Sequence, residues 1–156
     1  MKEKAVSGQG LHVIIREMRE GDIEGVQAID NKLTAQNRAF TYCWSPFGGE
    51  LTASVVAEAE GKIVGFLLGQ TTKSSYKDAN IALAQNIGVD PEYFHNHIGT
   101  RLVQGFTERC QKRGIESIHA MVRSRDEMLI SFLRATGFID GEMIELVKLI
   151  NVDDLD

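Results

Sequence analysis

Residues 86–103 read NIGVDPEYFHNHIGTRLV, an extended stretch ended by Pro91 and a short loop that opens directly into an apolar helical pattern. The first turn of a helix carries backbone N–H groups without intrahelical partners at the positive end of the macrodipole, so it suits an anion such as a pyrophosphate. The loop residues His95, Asn96 and His97 and the first-turn residues Ile98, Gly99 and Thr100 are the candidates for that site. Gly99 has no side chain to keep the backbone away from a ligand, and each hydrogen bond to a charged phosphate is worth about 1.5–3 kcal/mol. His97 puts bulk where backbone would meet phosphate, yet near neutral pH a partly cationic imidazole can also donate to it. His and Asn tolerate left-handed backbone geometry better than most residues, which keeps the loop feasible.

Other reactive side chains are scattered. Glu58 lies in a strand-like stretch and is a candidate base, with a solvated strand carboxylate as the plainer reading. Phe40, Tyr42, Trp44 and Phe47 crowd a loop broken by Pro46, Gly48 and Gly49. Tyr42 and Trp44 are candidates for holding a cationic amine by cation–π contact, whereas Phe40 and Phe47 read as cover for the core. Arg123-Ser124-Arg125 could approach a phosphate or be solvated surface. His95 and His97 supply half of a metal site with no third ligand near them in sequence, so no metal is expected. His119, inside a strand pattern, reads as structural. Cys43 and Cys110 are too far apart to suggest a metal motif or a disulfide framework, and they read as reduced thiols of a cytoplasmic protein.

The elements that must position these groups follow from periodicity. The spacing predicts strands over residues 12–18, 54–60, 63–70, 81–89, 116–122 and 142–150. It predicts helices from residue 23 to 33, with Asp22 as N-cap, from 97 to 113, and from 128 to 136. Ile81, Leu83, Gln85, Ile87 and Val89 would share one face of their strand, opposite Ala82, Ala84, Asn86 and Gly88. Helices alternate with strands only in the second half, after an antiparallel meander. That order predicts a three-layer α/β domain, a mixed central sheet flanked by helices. The chain of 156 residues is 43% hydrophobic and supports one domain, over 11–152, behind a flexible leader at 1–10. A net charge of −5 argues against nucleic-acid binding. No apolar run reaches membrane-spanning length, so no membrane partner is expected.

Residues 86–103 resemble the acetyl-CoA-binding motif of the GNAT superfamily of N-acetyltransferases. The hairpin AEAEGKIVGF at 57–66 and the helix end SFLRATGF at 131–138 are similar to that family too, so the resemblance spans residues 12–150. It implies acetyl-CoA as cofactor, with backbone amides near Ile87, Gly88 and Val89 polarising the thioester carbonyl. It implies a primary amine of a small molecule, peptide or protein as acceptor, attacking directly. It also implies the acceptor loop around Tyr42 and Trp44, and a homodimer through sheet edges. The departures fall at functional positions: Phe94 stands for Gln or Arg, His97 for the first motif glycine, and Leu133 for the tyrosine that protonates the leaving thiolate. Asp126 stands where the family often has Asn before its last helix, and residues 81–89 hold no carboxylate. Asn86, Glu58 and Tyr42 are then the catalytic candidates, with Tyr76 and Tyr93 as replacement acids. The contrasting expectation is a non-catalytic acyl-CoA-binding sensor or interaction module of the same fold.

Overall fold

The computed structural model describes residues 10–35, 53–74 and 79–150. Strand β1 (Val13–Glu17) leads through a 3₁₀ turn at Glu20–Asp22 into helix α1 (Ile23–Ala35). Strands β2 (Val55–Ala59), β3 (Lys62–Ser74) and β4 (Ala79–Val89) follow. A second 3₁₀ turn, Pro91–Tyr93, precedes α2 (Ile98–Lys112), and β5 (Ser117–Ala120) and α3 (Glu127–Ala135) complete the order. The strands lie side by side in sequence order, β1 to β4 antiparallel and β5 parallel to β4.

Two apolar layers hold helices against this sheet. On one face Ile98, Leu102, Val103 and Phe106 of α2 pack on Val55, Ala57, Val64, Leu67 and Ala82. On the other, Val26, Ile29 and Leu33 of α1 pack on Val56, Phe66 and Leu68. The alternation of Val55/Ala57 with Val56 divides β2 between the two layers, as a strand buried on both faces requires. The result is the expected three-layer α/β domain with a mixed sheet.

Three expectations are corrected. The alternation proposed for β4 fails because the register with β3 slips: Leu68 opposes Asn86 but Gly69 opposes Ala84, leaving Gln85 as the extra residue of a bulge. Ala82 and Ala84 therefore face the α2 layer together with Ile87 and Val89, not opposite them. Gly88 falls on the α1 face, where a Cβ would lie 2.6 Å from the Phe66 ring and 2.8 Å from Leu33. Its small size serves close packing within the core.

Asp22 does not cap α1. It ends the 3₁₀ turn, and its carboxylate accepts from the Arg19 amide at 2.7 Å and from both terminal nitrogens of Arg16 at 2.8 Å. Finally, residues 142–150 form no strand: the segment has no regular structure and is exposed throughout. Strand propensity alone cannot supply the main-chain partner a strand needs. The leader residues 1–9, the aromatic loop with Tyr42 and Trp44, Tyr76 and residues 151–156 lie outside the described residues.

Candidate functional site

The bulge at Gln85 coincides with the point where β4 parts from β5. The parallel pairing runs from Ile81↔Ser117 to Ala84↔Ala120 and stops there, while β4 continues to Val89. Residues 85–89 thus keep β3 on one side and, among the described residues, have no strand on the other. Their outward N–H and C=O groups form a free edge in the interior end of the sheet. Backbone groups of this kind bind polar ligand atoms without side chains. Ile87, Gly88 and Val89, expected to line the cofactor site, are three of the residues on this edge.

Asn86 is the buried polar side chain of that stretch, Gln85 being exposed. It shares a face with Gly88, two residues on, and so points to the α1 side, next to Leu68 and Phe66. It is 6% exposed, and among the described residues its Oδ1 has no hydrogen-bond partner. A buried acceptor left unpaired costs about 1–3 kcal/mol, which makes it a place where function can be stored.

The strand end is tied down before the loop begins. The Asp90 amide donates to the Val64 carbonyl at 2.8 Å, and Asp90 Oδ1 accepts from the Glu92 amide at 3.1 Å. Lys32 of α1 donates to Asp90 Oδ2 at 3.0 Å, and this hydrogen bond holds the lysine above its ordinary pKa. Sequence reasoning passed over Asp90; its place between strand and Pro91 was the available signal. The next residues turn sharply. His95 and His97 both take left-handed backbone conformations, φ 68° and 57°, and Asn96 Nδ2 bridges the Tyr93 and Phe94 carbonyls at 3.0 and 3.2 Å.

The helical ladder of α2 starts when the Arg101 amide donates to the His97 carbonyl at 3.1 Å. The amides of Ile98, Gly99 and Thr100 precede it and point out of the helix end. No acidic residue occupies that first turn to compete for an anion. Ile98 is buried among the residues packed with Ile87 and Val89, which brings the helix terminus and the free β4 edge to one end of the domain. The vacancy at Gly99 faces α3, since a Cβ there would stand 3.2 Å from the Phe132 ring. It thereby lets α3 close over the first turn, a different role from the ligand approach inferred from sequence.

The left-handed histidines cost energy that glycine would not. His97→Gly is expected to raise stability by about 1 kcal/mol, read from chemical denaturation. A loss of stability would show that the imidazole itself holds the loop.

The remaining candidates separate from this end. Glu58 is on β2, two strands or about 10 Å from β4, and receives Arg16 Nε at 3.3 Å. His119 is exposed on β5, with Nε2 2.8 Å from the Ser117 hydroxyl. Leu133 is buried within α3. Asp126 caps α3, accepting from the Leu129 amide at 3.1 Å. Arg123, Ser124 and Arg125 line a cleft with Asp126 and Glu145, so carboxylates share it with the cations. Cys110 is buried in the α2 layer, and that burial pushes its thiol up, away from reactivity. His95 and His97 are exposed, and among the described residues no group of three His, Cys, Asp or Glu is placed to hold a metal ion.

Tyr93 is fully buried in the α2 layer, its hydroxyl without a partner among the described residues and Lys62 Nζ 5.1 Å from its ring centre. A phenol so enclosed is no candidate acid. Tyr93→Phe is expected to raise stability by about 1 kcal/mol, since it removes an unsatisfied donor and keeps the ring. A thermal melt of the variant checks this, and a clear drop would reveal a partner for the hydroxyl.

The family model described as acetyltransferase (GNAT) family matches residues 18–138. An uncharacterized N-acetyltransferase of Methanocaldococcus jannaschii is 30% identical over 91 residues, 58% of this chain and 40% of that protein. The chain thus spans about two fifths of that relative's length. Among solved structures, an aminoglycoside N-acetyltransferase in complex with CoA superposes with a TM-score of 0.72 at 15% identity, over 92% of this chain and 99% of its own. A ribosomal-protein-alanine N-acetyltransferase from Brucella melitensis gives 0.68 at 12% identity, over 88% and 99%. No helix among the described residues is long and apolar enough to cross a membrane.

Proposed function

Because this chain belongs to the acetyltransferase (GNAT) family, we propose that it is a cytoplasmic N-acetyltransferase moving an acetyl group from acetyl-CoA to a primary amine. The observation that carries the reading is the meeting of two sets of free backbone groups, the β4 edge at 85–89 and the first-turn amides of α2. Acetyl-CoA presents a pyrophosphate and a thioester, and the two sets suit them in that order. The amides of Ile98, Gly99 and Thr100, with the loop 95–97, would hold the pyrophosphate. The edge at Ile87, Gly88 and Val89 would orient the thioester carbonyl and stabilise the charge it gains on attack. When bound, the cofactor supplies the activated acetyl group.

Asn86 Oδ1, on the opposite face of the same strand segment, would accept a hydrogen bond from the acceptor amine and hold its lone pair toward that carbonyl. Orientation of this kind needs no titrating side chain at Asn86: the neutral amine would form its bond to the acetyl carbon as the C–S bond breaks, without an acyl-enzyme step, and the proton lost from nitrogen would pass through solvent to the departing thiolate. Acceptors differ in kind between the two solved relatives, an aminoglycoside in one and a ribosomal protein's alanine in the other. The acceptor here is accordingly left as a primary amine of a small molecule, peptide or protein.

A sensor without catalysis is the second reading, favoured by Leu133 at the position where the family resemblance implies a tyrosine. One experiment separates the two. Saturating acetyl-CoA, at about 100 times its Kd, should stabilise the fold by roughly 2.7 kcal/mol. Thiol release should then appear with at least one member of a panel of aminoglycosides, polyamines and peptide amines. No thermal shift at millimolar acetyl-CoA overturns both readings, and a shift without thiol release from any amine leaves the sensor.

A further inference from the structure

His119 stands away from the cofactor loop but not from Asn86. On β4, Ala82 and Ala84 pack into the α2 layer, so Leu83 between them faces the α1 side, to which Asn86 also points. On β5, Ile118 packs into the α2 layer, and His119, paired with Leu83, faces the α1 side as well. The bulge at Gln85 shortens the remaining distance. Leu68 opposes Asn86 and Gln70 opposes Leu83, so the step from Asn86 to Leu83 spans only two residues of β3. Two residues of about 3.4 Å rise and one strand spacing of about 4.8 Å put the Asn86 and His119 Cα atoms about 8 Å apart on one face. His119 also precedes Ala120, where the pairing of β4 with β5 ends, and so borders the opening beside residues 85–89.

An amine arriving at Asn86 is an ammonium at neutral pH and must lose a proton before it can attack. Asn86 cannot take that proton. Carboxylates of the α1 side are engaged with cations: Asp90 with Lys32, and Asp22 and Glu58 with Arg16. His119 is exposed, and its Nε2 lies 2.8 Å from the Ser117 hydroxyl. Histidine changes charge between about pH 5 and 8. Facing His119 are Leu83 and Ile81 of β4 and Ser117 of its own strand, none of which titrates in that range.

Resting on the transferase reading above, we propose that His119 is the general base of acetyl transfer. Its Nε2–H donates to Ser117 Oγ, a bond that survives when the ring becomes cationic, and Nδ1 holds the free lone pair. Nδ1 takes one proton from the acceptor ammonium, through at most one water. The freed nitrogen lone pair forms the C–N bond as the C–S bond breaks. The second nitrogen proton passes through solvent to the thiolate, and the imidazolium releases its own to solvent. One ammonium and one thioester thus give one amide, one thiol and one proton.

The test compares the parent with His119→Gln, which keeps a polar side chain but cannot accept the proton, using the most active amine of the panel. Above about pH 8, where histidine is neutral, kcat/KM of the parent should be level. That of the variant should be about 100-fold lower at neutral pH and climb about tenfold per pH unit, as only the free amine reacts. A role in packing alone would lower the rate without changing the slope. Added imidazole should restore at least ~10-fold of the rate lost in His119→Gly. Apart from turnover, the His119 ring signals in NMR spectra should move when the amine is added to the protein with CoA, which has no acetyl group to transfer. Parallel pH profiles, with parent and variant both stabilised by acetyl-CoA, overturn this proposal and leave the transferase reading standing, as does a ring signal that stays in place. Absence of thiol release from the parent overturns both.

Discussion

Replacing Asn86 by leucine is expected to raise the stability of the domain by about 1 kcal/mol while lowering acetyl transfer roughly 10²-fold. The opposite signs follow from one atom. Oδ1 lies buried on the α1 face of β4 with no partner among the described residues, so the folded state carries its desolvation cost without return. Leucine is close in size and removes that cost. What it also removes is the acceptor that would orient the incoming amine. Affinity for acetyl-CoA should stay within about twofold, because the groups proposed to hold the cofactor are backbone edges and amides, which the substitution leaves in place. The measurements are a urea denaturation curve, a thermal shift with acetyl-CoA, and kcat/KM for the best amine. A variant that gains stability at unchanged kcat/KM would place the amine elsewhere. One that loses stability would mean the amide is held by a neighbour after all. Asn86→Asp sharpens the result, since a carboxylate keeps the acceptor oxygens and should retain more activity than leucine.

How this site could be read from the chain depends on which parts are local. The hairpin at 57–66 and the helix after His97 were legible because turn chemistry and 3.6-residue spacing act within a few residues. Strands β2 and β3 and helix α2 fall where that spacing placed them, within a few residues at the ends. The bulge at Gln85 was not legible. An extra residue moves everything after it to the other face, yet the small Ala82 and Ala84 and the larger Ile87 and Val89 are all acceptable to the α2 layer. Composition therefore leaves no trace of the change. The same limit applies to Asn86, whose significance is the absence of a partner in three dimensions. Residues 142–150 show the converse: their pattern predicts a strand, yet the segment has no regular structure and no ladder partner among the described residues. Pattern specifies what a segment can do, and pairing depends on what else is present.

The ion pair that anchors α1 carries the second large expectation. Asp22→Ala should destabilise the domain by about 3 kcal/mol, because it removes the two-pronged partner of Arg16, 18% exposed at its side chain, and leaves it the single longer bond to Glu58. It also frees the Arg19 amide that Asp22 accepts. The hydrogen bonds from Arg16 hold the Asp22 carboxyl below the usual carboxylate range, and Asp22 in turn raises the guanidinium pKa further. A carboxyl depressed in the folded state contributes stability above its unfolded pKa, near 3.9, and loses it as pH falls through the lower folded value. The gap between parent and variant should therefore be constant above about pH 5 and close below about pH 4. Burial pushes Asp30 the other way, but that effect is common to both proteins and cancels in the difference. Denaturation curves from pH 2 to 7 measure the gap directly. A gap that persists undiminished at pH 2 would show that Asp22 acts by packing and capping alone. Arg16→Met/Asp22→Leu completes the cycle: with that pair removed, most of the lost stability should return, since Glu58, 30% exposed at its side chain, can turn to water and apolar pairs of similar volume often match a buried ion pair. The restored variant should keep α1 in place. Its Lys32 would then still reach Asp90, where β4 hands over to the loop before α2.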